Sequence, residues 1–408
     1  MSIATQPVSM QRTPLPHELA VETVERKGVG HPDTLADGIA ELASIRYSQH
    51  CLDTAGAVLH HNLDKVAVLG GRAAFTDTDG AYDRPLRVVF GGRISTSFAG
   101  RELPVREILE QAAIERLRAT LPGFDRVRLE IRHETTDSSK FPHWFAPRSL
   151  DDLPEWTRAF SNDTAYLVGS GPRTAAESVA LLAEAWFRRH AWAGSDIKAL
   201  VVRRGESWTV TVCVPALAGH LVTSAEFDDA VTASARELTA ELEQRLPGRV
   251  DVVCNTRGSR TGPISGQYFT LSGSAIDYGE DGLVGRGNAR TGLISGAHLS
   301  GNEATFGKNP AYHVGKVGGW LADEAARAVA VEFGPCRIGV LWRNGATYDQ
   351  PASVEITTSE PAPPGKAEEL VRATLARTDW MEDLLSGRYL PRIEPVEELL
   401  ASLTQAAG

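Results

Sequence analysis

Three stretches of this sequence crowd charged, imidazole and glycine residues where apolar periodicity fails, and such local failures are where functional sites are expected. The first is Glu25-Arg26-Lys27-Gly28-Val29-Gly30-His31-Pro32-Asp33 through Asp37. Its glycines let backbone approach a ligand, and His31 and Asp33 stand at a helix start. Asp33 and Asp37 are four apart and share one helical face if the helix begins early, though Asp33 could serve simply as its N-cap. The second is His60-His61-Asn62-Leu63-Asp64-Lys65. Adjacent histidines on a strand face opposite ways, so a shared zinc is the poorer reading, and a wall for a polar substrate or a solvated turn remain. The third runs from Gly279-Glu280-Asp281-Gly282 through Gly285-Arg286-Gly287-Asn288 to Gly307-Lys308-Asn309-Pro310-Ala311-Tyr312-His313-Val314-Gly315-Lys316. Its loop amides and the cations Arg286, Lys308 and Lys316 suit phosphate oxygens. It fits neither common nucleotide motif: Val317 follows Gly315-Lys316 where a P-loop needs Ser or Thr, and Arg290 stands where the dinucleotide fingerprint needs its third glycine.

The elements that must hold these stretches follow from hydrophobic spacing. Helices are expected over Asp37–His50, from Pro104 through Leu117, over Ala175–Arg188, Ser224–Leu246 (capped by Ser224), Trp320–Phe333 and Ala367–Arg377. Strands are expected at Ala57–Leu59 and Val66–Leu69 flanking the polar insert, and at Leu86–Phe90, Val127–Ile131, Val250–Cys254, Tyr268–Leu271, Ile338–Trp342 and Val354–Thr357. Ala199–Arg203 and Trp208–Val214 form a hairpin. Strand pairs alternating with helices about three times imply an α+β fold of layers, each a sheet with helices on one face. The domains are expected at 19–132, 133–262 and 263–408, with segments free to interleave, after a disordered tail over 1–18.

Composition narrows the partners. Apolar residues are 42% and charged ones 23%, ordinary for a folded globular chain, and no apolar run reaches 18 residues, which excludes a membrane span. The net charge of −10 with no basic block argues against nucleic acid. Cys51, Cys213, Cys254 and Cys336 lie far apart without a Cys-x-x-Cys, arguing against a zinc cluster and a disulfide framework. With a polar N-terminus, this points to the cytoplasm.

Taken together, the three stretches resemble archaeal-type S-adenosylmethionine synthetase (methionine adenosyltransferase). Asn162-Asp163-Thr164, Arg203-Arg204-Gly205 and Asn255-Thr256 fall in the family's order between them. The matches run collinearly from about residue 22 to 317, with weaker similarity to about 357. The resemblance implies three similar α+β domains per subunit and a homodimer with shared active sites, able to pair again into a tetramer. It implies ATP and L-methionine as substrates, Mg²⁺ as cofactor, and room for K⁺. By similarity His31 stands near the C5′–O bond and the triphosphate, and Asp33 is a magnesium ligand. Arg286, Lys308 and Lys316 hold phosphate, with His313 in the same segment. Glu25, His60, Asn62, Asp64, Lys65, Asp163, Asn288 and Asn309 line the ATP and substrate pocket. Glu280 and Asp281 meet the amino acid ammonium or a metal.

The chain departs from the archaeal pattern mainly at the acceptor end. Glu280 replaces an aspartate, Val284 a threonine, and Ala289 intervenes before Arg290. The run Gly296–Gly301 replaces one containing proline and arginine, and the loop before Asn162 is longer than expected. Adenosyl transfer to methionine is therefore the leading expectation. Transfer to a different nucleophile comes next, and a non-catalytic nucleotide-binding relative last.

Overall fold

A computed structural model describes residues 8–11, 13–141, 143–360, 363 and 365–406. Three sheets each carry helices on one face, and three separate apolar clusters lie between sheet and helices. In the first layer the strands Gly282–Leu283, His61–Leu69, Leu86–Ile94 and Leu129–His133 lie side by side in that order, under helix Pro32–Ala55 with Val105–Thr120 beside it. The second layer orders Arg249–Cys254, Ser207–Cys213, Lys198–Arg204, Val21–Lys27 and Ile294–Ser295 under Ala175–Arg188 and Ser224–Glu243. The third orders Val8–Gln11, Ser353–Thr358, Cys336–Trp342 and Ala165–Gly171 under Val314–Phe333, on which Lys366–Leu375 packs. Strands alternate as one-sided sheets should: in Ser207–Cys213 only Trp208, Val210 and Val212 are buried.

The layers are assembled from interleaved segments. Val21–Lys27, which precedes the whole first layer, pairs antiparallel with Lys198–Arg204 of the second. Ile294–Ser295 then adds to its other edge, and Gly282–Leu283 adds to the first sheet beside Ala67 and Val68. The Gly279–Lys316 stretch is thereby pinned to two different sheets.

Several sequence expectations need correction. Val8–Gln11, placed in a disordered tail, pairs parallel with Ser353–Thr358, and Pro16–Glu18 forms a turn of 3₁₀ helix; residues 1–7 of that tail lie outside the described residues. The polar insert is neither a turn nor an interruption: one strand runs His61–Leu69 with a bulge between Asn62 and Lys65. A bulge re-aims side chains without ending the pairing, which period-2 counting cannot see. Thr223, not Ser224, caps the Ser224–Glu243 helix, with Glu226 completing a capping box.

A strap near the C-terminus ties the layers together. The Tyr389 hydroxyl donates to Asp323 at 3.0 Å and Arg116 donates to the Pro391 carbonyl at 2.6 Å. Arg26 donates to the Arg392 carbonyl at 3.2 Å, and Arg173 forks onto Glu394. Tyr389 packs in the third cluster, Leu390 against the first and Ile393 against the second.

Candidate active site

Helix Pro32–Ala55 begins five residues earlier than hydrophobic spacing indicates, because its first turns are polar and buried. Pro32 occupies N1, where a missing N–H costs nothing, and the His31 Nδ1 caps the helix by accepting from the Asp33 amide at 3.2 Å. Asp33, Asp37, Glu41, Ser44 and Ser48 are all buried and recur every three to four residues as one polar stripe. That stripe receives the glycine-rich stretch. Asp33 accepts the Leu283 amide at 3.1 Å, Asp37 the Gly285 amide at 2.8 Å and Glu41 the Gly307 amide at 3.0 Å. Ser44 donates to the Lys308 carbonyl at 3.2 Å. The approach is close enough that a Cβ at Gly282 would overlap the Pro32 carbonyl.

Around the helix start, Lys27 Nζ bonds Asp33 at 2.9 Å and the Arg286 carbonyl at 2.8 Å. Asn288 clamps the Lys27 backbone, accepting its amide at 3.0 Å and donating to its carbonyl at 2.7 Å. Asn288 thus spends its amide on positioning the loop. Glu25 pairs with Lys198 at 3.3 Å. Burial first, then the neighbouring Lys27, pulls the His31 pKa down to about 4. The ring is therefore neutral near pH 7, and because Nδ1 accepts, Nε2 carries the hydrogen and is a donor. The Arg286 side chain is exposed and forms no ion pair among the described residues.

The second gathering surrounds the start of helix Val314–Phe333. His313 repeats the role of His31, its Nδ1 accepting the Gly315 amide at 3.2 Å. Lys316 is fully enclosed and pairs with Glu41, and burial lowers its pKa. Lys308 pairs with Glu303 and lies 3.7 Å from Asp64, whose other oxygen holds Lys65 at 2.7 Å. Burial brings the Lys308 pKa down to about 8. Burial together with Lys308, Lys316 and Lys65 holds His313 well below the ordinary imidazole value. Asn62 bridges to Lys308 through backbone, and the Leu63 amide donates to the Gly307 carbonyl at 2.8 Å. Asn309 donates to the Leu59 carbonyl at 2.9 Å and accepts the Ala311 amide at 2.8 Å, a structural lock on this segment.

The two adjacent histidines do face different surroundings. His61 lies 2.7 Å from the Ser44 hydroxyl, inside the first layer. His60 meets the Tyr312 hydroxyl at 2.9 Å, stands 3.4 Å from Glu155 and stacks on Trp144 at 5.3 Å. Trp144 and Glu155 come from the long loop before Asn162.

The acidic residues scatter more widely. Asp281 accepts the Gly70 amide at 2.8 Å and so staples the loop to the first sheet. Glu280 is exposed, and its carboxylate has no hydrogen bond or ion pair among the described residues. Asp163 is also exposed and caps only its own neighbour, Thr164; it is Asn162 that reaches the lysine pocket, accepting the Val314 amide at 2.9 Å. Arg290, one residue late for the archaeal pattern, is buried and forks onto Asp323 at 2.8 and 2.7 Å. A cleft of about 1030 Å³ opens beside it, lined among others by Asp37, Asn288, His298, Leu299 and Asp323.

A sequence profile described as S-adenosylmethionine synthetase (AdoMet synthetase) matches residues 5–384. The chain belongs to this family. It is 31% identical to the S-adenosylmethionine synthase of Methanococcoides burtonii, over 92% of this chain and 94% of that one. The corresponding enzyme of Haloarcula marismortui is 30% identical, over 87% and 90%. An uncharacterized protein of Streptococcus pyogenes is 33% identical, over 88% and 91%. In structure the chain resembles an unusual S-adenosylmethionine synthetase from Campylobacter jejuni. The TM-score is 0.56 at 14% identity, covering 95% and 99% of the two chains, a likeness of fold.

For this member of the S-adenosylmethionine synthetase family, two participants, Glu41 and Glu303, stand outside the residues singled out in the sequence, and Lys27, inside the first stretch, has no role assigned there. The signal for Glu41 was present, since 33, 37 and 41 continue one four-residue spacing. Glu303 carries no such signal, because its partner is set by the fold of the loop. Among the described residues no group of three or more His, Cys, Asp or Glu side chains stands together as a metal cage. Magnesium does not require one: it usually takes one or two carboxylates and shares substrate phosphates. Asp33 and Asp37 fit that demand. Asp37 has a buried oxygen, Oδ2, with no hydrogen-bond partner, and burial holds its pKa well above the usual carboxylate value.

Proposed function

We propose that this chain transfers the 5′-adenosyl group of ATP to the sulfur of L-methionine and cleaves the released triphosphate to phosphate and diphosphate. The observation that carries the reading is the pair of buried lysines, Lys308 and Lys316, set at a histidine-capped helix start in a protein of net charge −10. Buried cations with local carboxylate partners are costly to build, and a polyanion is the ligand they suit.

In this reaction a sulfur lone pair forms the S–C5′ bond as the C5′–O bond breaks, and the bonding electrons leave with the triphosphate. The thioether is already a neutral nucleophile, so no activated hydroxyl or thiolate is needed. The difficulty is charge growing on the leaving group. One cation about 4 Å away at an effective dielectric near 20 contributes about 4 kcal/mol. Lys308 and Lys316 supply such charge from fixed positions, and Arg286 adds a movable planar donor. His31, neutral with its Nδ1 already accepting the Asp33 amide, donates through Nε2–H to the departing oxygen without bringing a proton that must be lost. Asp33 and Asp37 would hold Mg²⁺, which when bound neutralises phosphate charge. The free sheet faces and the exposed Arg286 and Glu280 suit a homodimer that completes each site across its interface.

The test is an assay with ATP, Mg²⁺ and methionine, following S-adenosylmethionine, phosphate and diphosphate. Formation of all three in equal amounts is expected; nucleotide binding without turnover would overturn the reading. A second reading, adenosyl transfer to another small nucleophile, is favoured by the unpartnered Glu280 and by the remodelled Gly296–Gly301 run beside the cleft. It predicts triphosphate release only when that other acceptor is supplied.

A further inference from the structure

His313 and His31 share one local geometry but have different charged neighbours. Each imidazole precedes a long helix and spends Nδ1 on a backbone amide two residues ahead. His31 faces Lys27, Asp33 and Lys198, whereas His313 faces Lys308, Lys316, Lys65 and His61. The two sets have no member in common. Glu41, which pairs with Lys316, lies ten residues beyond His31 and so about 15 Å along the helix axis at 1.5 Å per residue. His313 is only 6% exposed, and its Nε2 has no hydrogen bond among the described residues. An imidazole donor without an acceptor among the described residues thus stands near three cations.

We propose that His313 is the hydrogen-bond donor for the second chemical step, hydrolysis of the triphosphate, while His31 serves the first. This rests on the adenosyl-transfer reading for the source of the triphosphate. In the hydrolysis a water oxygen forms the new bond to phosphorus, a bridging P–O bond breaks, and its electrons leave on diphosphate; the water proton passes to solvent or to the phosphate product. His313 keeps its proton and, through Nε2–H, stabilises charge on the departing bridging oxygen. Lys308 and Lys316 bind the chain of phosphates but, as pure charges, do not single out one oxygen.

The capping role and the chemical role can be separated, because asparagine is a good N-cap but lacks the distal donor. His313→Asn should therefore keep the melting temperature within a degree or two of wild type. It should leave single-turnover formation of S-adenosylmethionine within about threefold. Hydrolysis of added inorganic tripolyphosphate with Mg²⁺ should fall about 10²-fold or more, as expected for loss of one aimed donor. His31→Asn should show the opposite split. If His313→Asn hydrolyses tripolyphosphate at the wild-type rate, or loses both steps equally while folded, the proposal is wrong. The tripolyphosphate arm needs no methionine, so it decides the role of His313 even if the acceptor proves to be something else; failure of methionine alone would count only against the function proposed above.

Discussion

The lysine pocket and the acidic loop at Gly279–Gly282 differ in how fully one protomer completes them. Around Lys316 the groups are enclosed and matched: Glu41 bonds both Lys316 and the Gly307 amide, Lys308 has Glu303 and Asp64, and Asn309 locks the backbone. Around Glu280 the carboxylate and the nearby Arg286 stand in solvent without partners among the described residues. The phosphate end is therefore rigid before substrate arrives, and the acceptor end is left for substrate or a second copy to order. Rigid donors stabilise developing charge without reorganising, whereas a site open to remodelling can change its acceptor without endangering the fold.

The sharpest break between the two regions comes from Lys316→Ala. It strands the buried Glu41, and the expected loss is about 3–5 kcal/mol of stability, read by urea denaturation. A change below about 1 kcal/mol would show that the pocket is not part of the folded framework. Arg286→Ala should do the reverse, lowering kcat about 10²–10³-fold with an unchanged melting temperature, and Arg286→Lys should restore only part. Equal kcat with a raised KM for ATP would assign Arg286 to uniform binding.

Asp33→Asn keeps an acceptor for the Leu283 amide but loses charge toward Lys27 and magnesium. Turnover should nearly vanish, and any residual activity should need more Mg²⁺. Since His31 provides the cap, near-native activity would not be excused by capping; it would remove the metal role.

A milder effect follows from pH. Lys308 is charged below about 8 and loses its proton as pH rises through that value. The kcat/KM for ATP should then fall on the alkaline side by up to about tenfold per pH unit, and Lys308→Arg should move that limb upward. An unaltered profile would place the controlling group elsewhere. Smallest of all, Glu280→Asp should change the ratio of kcat/KM between methionine and its S-alkyl analogues a few-fold, at constant ATP KM. If no ratio moves, Glu280 does not touch the acceptor.

Much of this arrangement was legible in the sequence, and for identifiable reasons. His31, Lys308, His313 and Lys316 were recognisable because histidine and lysine in glycine-rich surroundings break apolar periodicity. The layered α+β architecture followed from alternating periods, as in Ala175–Arg188, whose helix has the expected bounds. The first helix start was missed because its inward stripe is polar, so the signal of burial was absent where burial is deepest. The division of labour among polar residues was also illegible: Asn288 and Asn309 read as pocket amides yet hold backbone, while Glu303 is brought to Lys308 only by loop closure. The Lys316–Glu41 pair spans 275 residues, and an ion pair across such a separation has no local signature.

The strap over Tyr389–Glu394 has a consequence in the order of synthesis. Arg26 leaves the ribosome with the strand Val21–Lys27, but its carbonyl partner at Arg392 is made 366 residues later. Arg116 likewise waits for Pro391. Long-range closures of this kind slow folding and leave early segments exposed while they wait. A nascent chain stalled before Tyr389 should therefore hold its layers without the tie between them, and be more sensitive to protease than one that includes Tyr389–Glu394.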